Sequence, residues 1–505
     1  MPLLASLAVM LCTGMVLVVW SVMGGFLSHL VNSGRSLIGD VSVEVPYTGF
    51  AHYDELQARL MAMPDVEATA PVISTQGLLV LPNGLKELVL IRGIEGESFA
   101  QVTAYRDSVW WKPITTPLRK DAKQEDPRLA GASKAFYEAV RDNGVSLTVP
   151  VEGGKRDAAA VTGIEVGGFN KREKEGYYTP LYGHGWRQRQ FEGDRPSPTP
   201  VIMPLTGKVT LHVLPMDSSG RVLDAVSRSF PVANEFHTGV YEVDRKSVFV
   251  ELGAIQSMLM MDKGLRVTNL PPVGTVVADA KGQESFPKPQ VVGEDPARVT
   301  TVYVRAKGNA VNAEDLKIRI EELVRQFAED FPDAARGGRF YVSTWRDSNR
   351  TMISAVEKET GMVLILFSLI SVTAVFLVLA IFWSMVAEKT KDMGILRALG
   401  ASRSGVAWVW IRYGLAIGIV GSLAGFGLAY LIVTNINDIH DWIGRTFNMY
   451  VWDPKVYYFN EIPAKLRYFD AGIVVVSGIL SSGLGALIPA IRAARMDPVR
   501  AIRFE

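Results

Sequence analysis

Residues 361–387 read Gly361-Met-Val-Leu-Ile-Leu-Phe-Ser-Leu-Ile-Ser-Val-Thr-Ala-Val-Phe-Leu-Val-Leu-Ala-Ile-Phe-Trp-Ser-Met-Val-Ala387, without one Asp, Glu, Lys or Arg. An α-helix rises about 1.5 Å per residue, so about 20 such residues cross the hydrocarbon layer of a bilayer. Three further uncharged apolar runs stand at Leu3–Leu27, Tyr413–Ile436 and Ala471–Ile491. A polar, turn-rich stretch separates the first run from the other three. The layout predicts a membrane α-helical protein with four transmembrane helices in a 1+3 arrangement. Between the first and second helices it places a large extracytoplasmic α+β domain carrying a β-rich inserted subdomain.

The expected segments are transmembrane helix 1 (1–27), the first part of the α+β lobe (28–96), the inserted subdomain (97–297) and the second part of the lobe (298–345). After these come the stalk and helix 2 (346–387), a cytoplasmic helix (388–404), helix 3 (405–436), an outer loop (437–470), helix 4 (471–491) and a tail (492–505). Within the lobe, Ser42–Val45, Val72–Leu81, Glu87–Ile94, Thr300–Val304 and Arg339–Ser343 read as strands. Tyr53–Met63 and Ala313–Phe331 have helical spacing. The insert shows shorter β-like runs at Val145–Val149, Val209–Leu214 and Ser247–Glu251. The Gly193–Pro204 stretch, with four prolines, cannot be continuous regular structure.

Basic residues set the expected orientation. Lys389, Lys391, Arg397 and Arg403 crowd the loop after helix 2, and Arg492, Arg495, Arg500 and Arg503 follow helix 4. The positive-inside rule puts both segments, and both termini, in the cytoplasm and the large domain outside, in the periplasm. No positive region precedes Leu3 and no small-x-small site closes the first run, so it reads as a retained helix rather than a signal peptide.

The chain has 505 residues, with 53 basic and 52 acidic, and this balance offers no field for nucleic acid. The one cysteine, Cys12, excludes an internal disulfide and a thiolate cluster. The six histidines lack metal-ligand spacing. Gly207-Lys208 is followed by Val209 and has no glycine five residues before it, so no phosphate-cradling Gly-x-x-x-x-Gly-Lys-Ser/Thr loop is present. The chain is therefore expected not to be an enzyme and to bind no cofactor or metal. The spans lack carboxylates and histidines, which argues against an ion-coupled transporter. Gly414, Gly418, Gly421 and Gly425 mark a face of helix 3 where other helices can approach closely. Trp383, Trp408 and Trp410, and Trp442 and Trp452 in the outer loop, fit interface anchors.

The segment Glu388-Lys-Thr-Lys-Asp-Met-Gly-Ile-Leu-Arg-Ala-Leu-Gly-Ala-Ser402 reads as a short amphipathic helix ended by Gly400, with Met393, Leu396 and Leu399 on one face. It resembles the coupling helix of FtsX/MacB-type ABC transporter permeases. Phe236-His-Thr-Gly-Val-Tyr-Glu-Val-Asp244, Trp452–Pro463, Pro489–Glu505 and Ser21–Phe26 are similar to segments of the lipoprotein-releasing (LolC/LolE-like) permeases. Residues from about 103 to 232 carry no resemblance, and Tyr413 stands where the family often has Gln or Glu.

The resemblance implies a permease that works with two copies of a separate ABC ATPase, which holds the ATP and Mg, and with a second permease subunit, the same or different. Lys389, Lys391, Met393, Leu396, Arg397, Leu399 and Gly400 would couple to the ATPase. The implied substrate is an inner-membrane lipoprotein, its acyl chains meeting Val19, Met23 and Phe26, with a periplasmic lipoprotein chaperone as a further partner. The alternatives are MacB- or FtsX-like force transmission, for export of a soluble substrate or control of a cell-wall hydrolase, and an ATP-independent membrane-anchored scaffold.

Overall fold

Contacts divide the chain into two units, Met1–Val31 with Arg350–Glu505, and Asn32–Asn349. The computed structural model describes residues 2–35, 37–82, 84–115, 126–129, 134–172, 177–180, 191–192, 195–196, 207–216, 221–267, 277–278, 284–285, 291–308, 311–335, 338–447 and 462–495. Most of the Gly193–Pro204 stretch, residues 452–460 and the tail beyond Arg495 lie outside the described residues.

Helix α1 (Pro2–Arg35) opens the chain. The second unit is built on nine strands: β1 (Val41–Glu44), β2 (Val66–Val80), β3 (Lys86–Ile94), β4 (Ala160–Gly163), β5 (Lys208–Val213), β6 (Val226–Phe236), β7 (Ser247–Glu251), β8 (Thr301–Ala306) and β9 (Tyr341–Thr344). They form one sheet in the order β5-β6-β4-β7-β3-β2-β8-β1-β9. β2 is long enough to serve two partners. Its first half pairs with β8, while Gly77–Val80 pair with Val213–Thr210 of β5. Six strands thereby close into a ring, and β8, β1 and β9 extend from it.

Alternation within the strands explains the two cores. Val248 and Val250 of β7 and Phe230 and Val232 of β6 face one cluster, together with Leu79, Ile91 and Leu211. Their neighbours Phe249, Ala233 and Phe236 face the other, with Phe99 and Tyr105. Side chains alternate between the faces of a strand, so a strand buried on both faces reads as a continuous apolar run. Helix α2 (Tyr53–Met61) buries Leu56 and Leu60. Helices α3 (Gly96–Val102) and α4 (Lys134–Ser146) cover the second face, and α5 (Leu252–Met258) inserts Ile255 into the first. In α6 (Ala313–Asp330), Leu316, Ile320, Val324 and Phe327 form the buried stripe, and Asn312 caps the start by accepting the Glu314 N–H at 3.1 Å.

Two expectations change here. The 97–297 segment is not a separate subdomain, because β4, β5, β6 and β7 complete the same sheet as the lobe strands. Val145–Val149 is a strand only at its end: α4 runs to Ser146, Leu147 turns the chain with φ +55°, and Thr148–Pro150 pairs with Arg156–Ala158. Polar contacts fasten the segments around Trp111, Val140 and Asn170 to β6. Asn234 donates to the carbonyls of Trp111 and Val140 at 3.0 and 2.9 Å. The buried Glu235 carboxylate accepts the Trp111 indole N–H at 2.7 Å and the Asn170 amide at 3.0 Å. A buried Asp126–Arg128 pair sits beside them, its guanidinium 3.8 Å from the Trp110 ring centre.

The first unit continues with α7 (Arg350–Glu388), α8 (Thr390–Ala398), α9 (Arg403–Thr434), α10 (Ile436–Phe447) and α11 (Tyr468–Ala494). Among the described residues, four segments are long and apolar enough to cross a membrane: Pro2–Phe26, Ile353–Glu388, Arg403–Thr434 and Tyr468–Ala494. α7 begins 11 residues before its apolar run and continues unbroken for 39 residues, a rod of roughly 58 Å.

Candidate functional site

Turns isolate α8 between two spans. Lys389 precedes it, and at its end Gly400 adopts φ +99°, which glycine reaches without a Cβ clash. The Gly400 N–H bonds Arg397 O and the Ala401 N–H bonds Leu396 O, closing the helix with a left-handed cap. Ser402 then caps α9 by accepting the Gly405 N–H at 3.1 Å.

The inner side of α8 is keyed into the span ends. Met393 is 4% exposed and packs with Val386 of α7, Val406 of α9 and Ala493 of α11. The Trp410 indole N–H points at Met393 Sδ, 3.1 Å away. Arg397 donates to the Ala494 carbonyl at 3.1 Å, near the last turn of α11. Thr390 Oγ1 donates back to Val386 O at 3.0 Å. One face of α8 is thus fastened to three membrane helices.

The outer side is apolar and open. Ile395, Leu396 and Leu399 are 46, 52 and 81% exposed. Lys391 is exposed, and Lys389 and Asp392 pair at 3.0 Å on the surface, which adds little stability. Met393 was expected to share a face with Leu396 and Leu399, and here the structure differs. Thr390, Met393, Gly394 and Arg397 form the buried face because they meet the span ends, and the leucines point away.

The four glycines divide between two neighbours. A Cβ on Gly414 would lie 2.5 Å from the Ala486 Cβ, and one on Gly418 would lie 2.9 Å from the Ser482 Cβ, both on α11. A Cβ on Gly421 would meet Ser6 O and Val9 Cβ at 2.8 Å, and one on Gly425 would meet Met10 O at 2.6 Å, both on α1. Ser482 Oγ also donates to Gly414 O at 2.9 Å. α9 is therefore the close-packed centre of the bundle. Tyr413, at the position where the resemblance leads one to expect Gln or Glu, stacks edge-on with Phe382 and Trp410 at 6.1 and 6.3 Å.

A cavity of about 440 Å³ opens among α1, α7 and α11. Cys12, Val16 and Trp20 contribute from α1, Leu364 and Val375 from α7, and Ile473 and Val474 from α11. Val19, Met23 and Phe26 do not line it. They are half-buried and continue the Cys12–Val16 stripe along α1 at helical spacing. Periodicity alone could not find this cavity, because three helices far apart in sequence build it. Among the described residues, no group of three or more His, Cys, Asp or Glu side chains is placed to hold a metal ion.

Residues 364–498 match the FtsX-like permease C-terminal family. The chain is 33% identical over 168 residues to the lipoprotein-releasing system transmembrane protein LolC of Xylella fastidiosa, covering 33% of this chain and 41% of that protein. It is 25% identical over 281 residues to LolC of Neisseria meningitidis, covering 55% of this chain and 56% of that protein. The macrolide export ATP-binding/permease protein MacB of Neisseria gonorrhoeae is 26% identical over 220 residues, covering 42% of this chain and 29% of that protein. The chain thus spans about half the length of the two LolC relatives, or less. These matches bear out the resemblance read in the sequence, to FtsX/MacB-type ABC permeases close to LolC.

Proposed function

We propose that the chain is the transmembrane permease subunit of an ABC transporter, carrying ATP-driven motion across the inner membrane to release lipoproteins. The observation that carries this reading is the division of α8. An open apolar ridge is backed by a face locked to the ends of α7, α9 and α11. A separate ATPase, two copies per complex, would hold ATP and Mg and seat on Ile395, Leu396 and Leu399, with Lys389 and Lys391 at the rim. A push there would reach α7, whose first residue follows directly on the last residue of the large second unit, Asn349. Arg397 and Gly400 would hold the shape of the lever.

The charge pattern supports a cytoplasmic α8 and tail, a 1+3 arrangement, both termini inside and the second unit in the periplasm. α7 leaves Ile365, Leu366, Leu369 and Phe376 open, a surface suited to a second permease subunit or lipid. The substrate's acyl chains would enter beside the α1 stripe and the cavity it borders. Withdrawing them needs energy input, because each buried CH₂ anchors by about 0.8 kcal/mol. The match to MacB favours a second reading, in which the same lever exports a soluble substrate.

Photo-crosslinkers at Val19, Met23 and Cys12, in the complex without nucleotide, discriminate the two. Acyl-chain adducts at these positions, and none on the opposite side of α1 at Leu17, which packs against Ala429, are expected for lipoprotein release. Adducts at none of them would exclude it.

A further inference from the structure

Helix α10 begins one residue after α9 ends, with only Asn435 between them. It therefore lies at the very edge of a membrane span. By helical spacing Ile439, Trp442 and Ile443 share one side, with Ile436 and Phe447 at its margin, and Asn437 and Gly444 lie across from Ile439 and Trp442. An amphipathic helix of a globular domain turns its apolar side toward its own protein. α10 turns much of it outward, with Ile436 and Ile443 half-buried. Gly444 is buried, and Asn437 Oδ1 accepts the Ile462 N–H at 2.7 Å, so the small and polar side is held inward. Ile439, Trp442 and Phe447 stay 37, 62 and 64% exposed, the two rings edge to face at 6.2 Å. The exposed apolar surface follows directly on that of α9, where Leu423, Tyr430 and Leu431 are open.

We propose that α10 is seated in lipid, lying in the headgroup–acyl boundary of the leaflet where α9 ends, with Ile439, Trp442 and Phe447 as its anchors. Continuity with the exposed apolar side of α9, a helix long and apolar enough to cross a membrane, commits the occupant to phospholipid. Tryptophan suits that depth, with an apolar ring and a polar N–H. Asp438 is exposed on the polar flank, so binding draws on buried apolar area and needs no anionic headgroup. The seat also steadies α1. The segment bonded to Asn437 continues to Lys465, whose N–H donates to Ser21 O at 3.0 Å, and the Pro463 carbonyl occupies the place a Gly25 Cβ would take. Lipid contact at α10 thus fixes α1 around Ser21–Gly25.

The test uses the full chain carrying Cys12→Ser, with single cysteines at 438, 439, 442, 443 and 447 bearing an environment-sensitive fluorophore, in phosphatidylcholine vesicles doped with brominated lipid. Quenching is expected to be at least about threefold stronger at 439, 442, 443 and 447 than at 438, and unchanged when anionic lipid is added. Uniformly weak quenching would place α10 in water and overturn the proposal. So would unquenched positions that form disulfides between copies of the chain. If labelled variants fail to fold, Trp442→Phe serves instead. It must remove a bromolipid-quenchable part of the intrinsic fluorescence, and an unchanged quenchable fraction refutes the seat.

Discussion

Replacing Leu396 by Asp and, separately, Met393 by Ala should separate docking from transmission on one short helix. Full burial of a leucine is worth about 1.5–3 kcal/mol. Leu396 is 52% exposed, so docking can bury about half of it, roughly 1 kcal/mol. An aspartate there also brings a charge into an apolar contact, at about 1–3 kcal/mol when it is left poorly paired. Together these weaken ATPase binding by roughly 30- to 700-fold, at about 1.4 kcal/mol per tenfold. Met393 is 4% exposed and never meets a partner; its truncation costs about 2–5 kcal/mol of local packing and loosens α8 from the span ends. Met393→Ala should hold ATPase affinity within about threefold while transport per ATP falls. The assay is titration of the ATPase onto chain in nanodiscs, paired with turnover. Wild-type affinity for Leu396→Asp, or a binding loss for Met393→Ala matching it, would refute the division of faces.

The Glu235 carboxyl is raised by burial to about 7 from 4.5, even though the Trp111 and Asn170 hydrogen bonds pull it down. Between these values the folded chain keeps a proton that the unfolded chain has lost. Stability is therefore greatest below about pH 4.5 and falls as pH rises through about 7, by on the order of 3 kcal/mol. Unfolding of the second unit at pH 5 and pH 8 should show that slope, and Glu235→Gln should flatten it; equal slopes would contradict the assignment. Gly418→Leu should part α9 from α11 and destabilise the bundle by about 1–3 kcal/mol, whereas Gly427→Leu, with nothing within 4 Å of its Cβ, should not. Thermal melts of the purified chain compare the two, and identical melts would undo the packing account.

Long apolar runs made the four spans legible, because length and lack of charge are local properties. The lobe strands and α6 were legible for the same reason, since their periods are sustained. β6 was hidden by Pro231 and by a register shift between Val232 and Asn234, although its two buried faces complete the ring. α4 was hidden by Asp142-Asn143-Gly144, which reads as a turn. Gly144 is there because the Asn234 side chain lies where its Cβ would point, 2.6 Å away. In α8 the spacing of Met393, Leu396 and Leu399 suggested one face. Which side turns inward depends on Val386, Val406 and Ala493, contacts that no local period encodes. The glycines of α9 were readable as contact points, but their division between α1 and α11 was not.

The most direct test reconstitutes the purified chain with and without its ATPase in vesicles holding a lipoprotein, and follows ATP-dependent release. Release is predicted only when both proteins are present, with Leu396→Asp silent. Release or ATP turnover by this chain alone, or full release by Leu396→Asp, would contradict an energy input arriving through α8.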